Sequence, residues 1–135
     1  MLVAYSDNGD NSGKSKFDVL VKNKGIGPAI VKRVDIVYKG KSYTTFGDLF
    51  SVVNPKNTGW TNSTLEGVTM SPLEEIRPIQ IPMSEAGFRF RELIYSGEVK
   101  VKIYYQSVYK KCYSSERFDT QELPDCDEME RPKPK

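Results

Sequence analysis

The sequence predicts an all-β fold: an antiparallel β-sandwich or barrel with one or two short helices. Six or seven stretches of strand length alternate apolar and polar residues, and turn residues recur roughly every ten positions. Helical periodicity is confined to two short stretches, whereas a parallel sheet needs a long crossover between its strands. The 135 residues fit one domain, which at this length buries enough surface to fold without a metal.

Three stretches, 17–22, 30–38 and 98–109, show the strand period most clearly. In the last, one predicted face holds Val99, Val101, Ile103 and Tyr105, and the other holds Lys100, Lys102 and Tyr104. Residues 113–120 follow a short turn and are predicted to be its hairpin partner.

Three weaker strands complete the prediction. Residues 39–41 read Lys-Gly-Lys, a turn from which 42–45 returns as a strand, and 64–70 is a further candidate. Ile79 and Ile81 lie between Pro78 and Pro82, so we expect an edge strand there, because proline cannot donate to a sheet.

Two stretches depart from the strand period. Residues 46, 49, 50 and 53 are apolar at helical spacing, which predicts a helix over 46–53 that Pro55 ends. Residues 84–94 favour a second helix, with Ser84 as its cap, although Phe88 and Phe90 alternate with arginines as a strand would.

The chain divides into three predicted parts. Residues 1–16 are expected to be a flexible lead-in, because 6–16 are polar and rich in Gly, Asn and Ser; 17–123 form the β domain; and 124–135 form an acidic, proline-containing tail. Residues 116–135 carry seven acids and four bases, whereas the first 115 residues have a net charge of +5. The bases are scattered, so the charge gives no reason to expect nucleic acid.

The two cysteines, Cys112 and Cys126, are candidates for a disulfide. Without histidine they cannot complete a four-ligand zinc site, and their spacing is not that of a C-x-x-C redox motif. The alternative is a pair of unrelated free thiols. A disulfide would favour an exported, oxidising compartment.

Residues 23–29, Asn-Lys-Gly-Ile-Gly-Pro-Ala, form a predicted structural turn between two strands. Asn23 can bond its own backbone, Gly25 and Gly27 allow positive φ, and Pro28 fixes φ before the next strand. Ile30 stands where a phosphate-binding G-x-G-x-x-G would have its third glycine, so a nucleotide site is not expected.

The order of strand, N-x-G-x-G-P-A turn, strand, K-G-K turn and short helix resembles a group of immunoglobulin-like β-sandwich ectodomains in bacterial membrane-anchored proteins. The run from Val101 to Tyr113 is similar to that group's penultimate strand. The resemblance implies an immunoglobulin-like sandwich on the periplasmic or extracellular side of a bacterial membrane. It contributes no catalytic residues, and the membrane anchor typical of the group is absent before residue 17.

We therefore expect a non-catalytic, extracytoplasmic interaction or structural module of an envelope protein. The lack of histidine excludes Ser-His, Cys-His and His-metal sites, and we expect no catalytic residues, no metal and no cofactor. The expected partner is another protein, with no nucleic acid, and with membrane contact only through an anchor outside this chain.

The aromatic residues provide the alternative hypothesis. Trp60, Tyr104, Tyr109 and Tyr113 form a possible binding surface, because tyrosine and tryptophan suit both protein and sugar contacts. A carbohydrate- or small-ligand-binding β-sandwich would use this surface. Half-buried tyrosines covering the sheets would explain the same pattern without a ligand.

Overall fold

The computed structural model describes residues 2–7, 16–54, 61–82, 85–116 and 119–127. These residues form two helices, α1 (Phe46–Val53) and α2 (Glu85–Ser96), and the following strands: β1 (Leu2–Asp7), β2 (Lys16–Asn23), β3 (Ala29–Tyr38), β4 (Lys41–Tyr43), β5 (Thr61–Asn62), β6 (Thr69–Met70), β7 (Glu75–Pro82), β8 (Val99–Ser107), β9 (Cys112–Glu116) and β10 (Asp119–Glu122).

The strands form two sheets, which confirms the predicted all-β, antiparallel class. Sheet A has the order β1-β2-β7-β5, and sheet B has the order β10-β9-β8-β3-β4, with β6 also paired to β3. Every pairing in the described part of the chain is antiparallel. The predicted turn at Lys39-Gly40 joins β3 to β4 with positive φ at both residues, as a tight two-residue hairpin requires.

The main hydrophobic core contains residues of both sheets and both helices. Sheet A contributes Val19, Val21, Ile79 and Ile81, and sheet B contributes Val31, Val34, Ile36, Ile103 and Tyr105 among others. Val99, Val101, Ile103 and Tyr105 of β8 all belong to this core, as their alternation predicts.

Helix α1 has the predicted bounds. Thr45 caps its N-terminus, because its Oγ1 accepts a hydrogen bond from the Asp48 backbone N–H at 3.1 Å. Phe46, Leu49 and Phe50 are buried, which is the apolar face that the sequence spacing defines.

Helix α2 resolves the ambiguity of Phe88 and Phe90 in favour of a helix. Phe90 is fully buried and packs edge-on against Phe50 of α1, with ring centroids 5.3 Å apart, whereas Phe88 is exposed. Gly97 follows the helix with φ +84°, the left-handed conformation in which a helix commonly ends. The predicted cap, Ser84, lies outside the described residues.

The expectation of a flexible lead-in is wrong for residues 2–7. They form β1, which pairs with β2 from Leu2 opposite Asn23 to Asp7 opposite Asp18. The apolar residues at the start of the chain are compatible with a strand, but the polar stretch after them led to the prediction of a flexible segment. Residues 8–15 lie outside the described part of the chain.

Strand β7 is an interior strand and not the predicted edge. It lies between β2 and β5, and the register slips by one residue where Val19 faces Ile79 and Val21 faces Ile76. Pro78 falls at this irregularity, where a residue without an N–H is tolerated. Its carbonyl still accepts a hydrogen bond from the Ser63 N–H at 2.8 Å.

Residues 113–120 do not form one strand. β9 pairs with β8 and ends at Glu116, and the chain then reverses so that β10 pairs with the other side of β9. The stretch thus supplies two short strands where the sequence pattern predicted a single hairpin partner. No helix within the described residues has the length and apolar composition to cross a membrane.

The packing of α2 gives the first testable prediction. Phe90→Ala should lower the free energy of unfolding by about 3–5 kcal/mol, because it removes a fully buried ring and leaves a cavity. Phe88→Ala, on the exposed side of the same helix, should change it by about 0.5 kcal/mol or less. Urea unfolding followed by circular dichroism measures both variants, and equal losses would contradict this placement of the helix.

Candidate functional site

Three turns meet at one end of the molecule, which we call the loop end. They are the β2–β3 turn (24–28), the β6–β7 turn (71–74) and the β8–β9 turn (108–111). The pairings of β3 explain why they meet: Ala29, its first residue, lies opposite both Met70 of β6 and Ser107 of β8.

Asn23 holds the β2–β3 turn in place from inside the protein. Its side chain is fully buried. Its Nδ2 donates hydrogen bonds to the Gly27 and Met70 carbonyl oxygens, both at 3.0 Å, and its Oδ1 accepts one from the Gly25 N–H at 2.9 Å. These bonds satisfy both the donor and the acceptor of the buried amide, so its burial does not carry the cost of an unpaired polar group.

The backbone of Asn23 binds the β6–β7 turn as well. Its N–H donates to the Glu74 carbonyl at 3.1 Å, and its carbonyl accepts from the Leu73 N–H at 2.7 Å. One residue therefore joins β2 of sheet A to β6 of sheet B and to the turn that leads into β7. The N-x-G-x-G-P-A segment is thus a structural element, and Pro28, half-buried, directly precedes β3.

Neither Gly25 nor Gly27 has the positive φ that the sequence analysis allowed for in this turn. A Cβ added to Gly27 would lie 3.9 Å from Val108 Cγ2, an ordinary contact. The same measurement shows that the β2–β3 and β8–β9 turns are neighbours.

Four large apolar side chains protrude from the loop end. Ile26 is fully exposed, and the exposed fractions of Leu73, Val108 and Tyr109 are 70%, 52% and 79%. These exposed apolar side chains lie on neighbouring turns, and a gathering of exposed apolar residues marks contact sites more often than an isolated one does. The loop end is therefore the candidate functional site.

The turns that carry these side chains are internally braced. Ser107 Oγ accepts hydrogen bonds from the Tyr109 and Lys111 N–H groups, and the Ser107 carbonyl accepts from the Lys110 N–H. Leu73 has φ +67°, which for a residue with a branched side chain costs about 1 kcal/mol or more. The β6–β7 turn thus keeps an exposed leucine in a conformation that glycine would adopt more easily.

Polar residues of both signs surround the apolar side chains. Lys24 and Lys110 are exposed on two of the turns, and Glu74 is exposed on the third. Glu74 Oε1 also accepts a hydrogen bond from the Ser71 N–H at 2.9 Å. Exposed apolar residues together with charged residues of both signs are typical of protein contact surfaces.

A disulfide joins Cys112 to Cys126 beside the loop end, with the two Cα atoms 5.5 Å apart. The Leu123 N–H donates to the Cys112 carbonyl at 2.8 Å, and Cys126 Sγ lies 3.9 Å from the Lys110 carbonyl oxygen. The start of the acidic tail is therefore attached to β9. A bonded cysteine pair fits an oxidising environment outside the cytoplasm.

The predicted aromatic surface is not one surface. Tyr104 is buried, and it packs with Cys112, Leu123 and Cys126 on the outer side of sheet B. Tyr113 is half-buried and stacks on Tyr105 at 5.2 Å, against the main core. Tyr109 is exposed at the loop end, and Trp60 lies outside the described residues.

Sequence reasoning missed Ile26, Leu73 and Val108 as site residues. Their signal was an apolar residue inside a turn, where polar residues are the rule. They are far apart in the chain, and only the strand order brings their turns together. Within the described residues, no group of three or more acidic, cysteine or histidine side chains is arranged to hold a metal ion.

Comparison with known proteins leaves the family open. No family model and no curated protein matches the chain. A solved structure, described as the crystal structure of a protein from Archaeoglobus fulgidus, aligns at 17% identity over 91% of this chain and 87% of that one, with a TM-score of 0.20. A likeness at this TM-score supports no conclusion about fold or function.

The Asn23 network predicts a stability effect. Asn23→Asp keeps the shape but places an oxygen where the amide donates to two carbonyls, so it should lower the free energy of unfolding by about 3 kcal/mol. Lys24→Ala, one residue away and exposed, should change it by about 0.5 kcal/mol or less. Urea unfolding measures both, and an Asn23→Asp variant as stable as the parent would refute the network.

The disulfide gives a third stability prediction. The cysteines are 14 residues apart, and opening a loop of this length should cost about 3 kcal/mol in the chain-entropy model. We expect reductant to lower the urea midpoint of the parent protein and to leave that of the Cys112→Ser/Cys126→Ser variant unchanged. A parent midpoint insensitive to reductant, with free thiols verified, would contradict the prediction.

Proposed function

We propose that this protein is a non-catalytic protein-interaction domain that works outside the cytoplasm, and that the loop end is its contact surface. The observation that carries the proposal is the convergence of Ile26, Leu73, Val108 and Tyr109 on three adjacent turns. The partner is another protein, which would bury these side chains on binding.

The bracing of the turns supports this role. A surface already held in one conformation loses little entropy when it binds, so more of the contact energy remains as affinity. Asn23 fixes two of the three turns, and Ser107 fixes the third. Tyr109 also provides a large, amphipathic contact with few rotatable bonds, which is typical of binding hot spots.

The disulfide supports the proposed compartment. The Cys112–Cys126 bond fits the periplasm or the extracellular face of a membrane, where such bonds persist. We further propose that the two antiparallel sheets form an immunoglobulin-like sandwich of an envelope protein, with any membrane contact made by an anchor outside this chain. Loops at the end of such a sandwich are a common place for binding residues.

The carbohydrate-binding alternative has less support in the structure. It depended on exposed aromatic rings, but Tyr104 is buried and Tyr113 is half-buried, so Tyr109 is the exposed ring among the described members of that set. The aliphatic residues beside Tyr109 also favour a protein, since sugar-binding platforms rely mainly on aromatic faces and polar groups.

The test uses a crosslinker placed at the loop end. A photoreactive amino acid replaces Leu73 in the protein in its native envelope, and the captured partner is identified and purified. Ile26→Ser/Tyr109→Ala should then weaken binding of that partner by about thirtyfold, which corresponds to about 2 kcal/mol of lost apolar contact.

The matched control removes one aliphatic residue and one tyrosine elsewhere. Val52 and Tyr95 are exposed on α1 and α2, so Val52→Ser/Tyr95→Ala should leave the affinity within about twofold of the parent. Both variants must retain the parent melting temperature. Unchanged affinity of the loop-end variant, or specific glycan-array binding lost with Tyr109→Ala, would overturn the proposal.

A further inference from the structure

A second surface lies on the outer side of sheet B, around Tyr104. Between Val31 and Arg33, β3 has one residue more than β8, so Lys32 and Arg33 together lie opposite Tyr104. Lys100 and Lys102 alternate with core residues on β8 and therefore share the outer face. We call this group the Tyr104 face: Lys32, Arg33, Lys100, Lys102 and Tyr104.

The Tyr104 face carries an excess of positive charge. Arg33 and Lys102 each lie 5.3 Å from the centre of the Tyr104 ring, a favourable cation–π distance. Asp35 neutralises Arg33 through two contacts of 3.0 Å. Within the described part of the chain, the three lysines make no ion pair with a carboxylate.

The chain's own acidic segment covers Tyr104 at the centre of this group. Residues 119–127 contain four acids and no base. Leu123 and Cys126 pack against Tyr104 and Cys112, and the exposed fraction of Tyr104 is only 8%. The apolar contact with Tyr104 is thus made by Leu123 and Cys126, and the acids beside them have the opposite charge to the lysines around Tyr104.

Few contacts hold the segment after β10 ends at Glu122. They are the Leu123–Cys112 backbone hydrogen bond, the packing of Leu123, and the disulfide at Cys126. Glu122 is close to a base, with its Oε1 4.0 Å from Lys111 Nζ. The disulfide is the strongest of these links, and a covalent link keeps the local concentration of the segment high.

We propose that the Tyr104 face binds an acidic peptide segment of a partner protein, and that the disulfide controls access by holding residues 123–127 over it. We call the disulfide and the residues 123–127 that it holds the clasp. A dithiol reductant opens the clasp by breaking the S–S bond. The reductant supplies two electrons and two protons, which produce thiols at Cys112 and Cys126, and is itself oxidised to a disulfide. Release of the segment then exposes Tyr104 beside lysines that are already accessible to solvent. This surface is separate from the loop end and does not depend on the proposed function.

The first test measures opening by amide hydrogen exchange on the full chain. Reduction, or Cys126→Ser, should raise exchange of the amides of residues 123 and 125–127 by about tenfold or more beyond the change in β3 and β8, whose amides should stay strongly protected and lose only the protection that corresponds to the predicted loss of about 3 kcal/mol of global stability. Unchanged exchange of 123–127 would show that packing alone holds the segment. Equal loss of protection in 123–127 and in β3 and β8 would show that the disulfide stabilises the whole fold and does not hold this segment in particular, and either result overturns the proposal.

The second test measures binding to the open face. The probe is a fluorescent synthetic peptide of residues 122–128 carrying Cys126→Ser, and the open protein is the full chain with Cys112→Ser/Cys126→Ser and Leu123→Ser, which weakens its own segment. The peptide should bind this variant at least about fivefold more tightly than the oxidised parent, and more weakly as salt is added.

Two controls assign the binding to the lysines. Adding Lys100→Ala/Lys102→Ala to the open variant should lower affinity about fivefold, whereas Lys39→Ala/Lys41→Ala, at the β3–β4 hairpin, should leave it within about twofold. A peptide in which the acids are replaced by the corresponding amides should bind the open variant no more tightly than the acidic peptide binds the oxidised parent. Equal binding of both peptides, or no effect of the Lys100/Lys102 pair, would overturn the proposal.

Discussion

The buried amide of Asn23 is the interaction on which this structure most depends. A β-sandwich buries apolar side chains between its sheets, but apolar contacts do not fix how the sheets are aligned, because they are not directional. Asn23 supplies that direction: it ends β2 of sheet A and makes hydrogen bonds to the carbonyl of Met70 in sheet B and to the turn before β7. The turns that carry Ile26 and Leu73 are therefore positioned by a polar contact inside the protein.

Patterns local in sequence predicted much of the fold. Helix α1 was predicted with its bounds, because its apolar spacing and the Asn-Pro that follows it agree with one another. The two faces of β8 were also predicted, since alternation of period two decides them. The errors concern relations between distant segments: β1 has a polar continuation but pairs with β2, and β7 contains a proline that an irregular register accommodates.

The candidate site was less predictable for the same reason. Ile26, Leu73 and Val108 belong to three turns, and no sequence pattern connects them until the register of β3 is known. The tyrosines were wrongly predicted to share one exposed surface, because sequence alone does not distinguish a tyrosine that faces solvent from one that faces the core or a covering segment. Tyr109, Tyr113 and Tyr104 occupy those three environments in turn. The candidate disulfide partners could be named from the sequence because it contains only two cysteines.

The lengths of the outermost strands have a consequence for how the protein behaves at high concentration. β5, β4 and β10 have two, three and four residues, whereas the interior strands β3 and β8 have ten and nine. A short outer strand offers few unpaired backbone groups to a neighbouring chain. Three of the four outer sheet edges therefore provide little template for fibril growth. The remaining side belongs to β1, so a charged or proline substitution there is the natural first choice if the protein precipitates during storage.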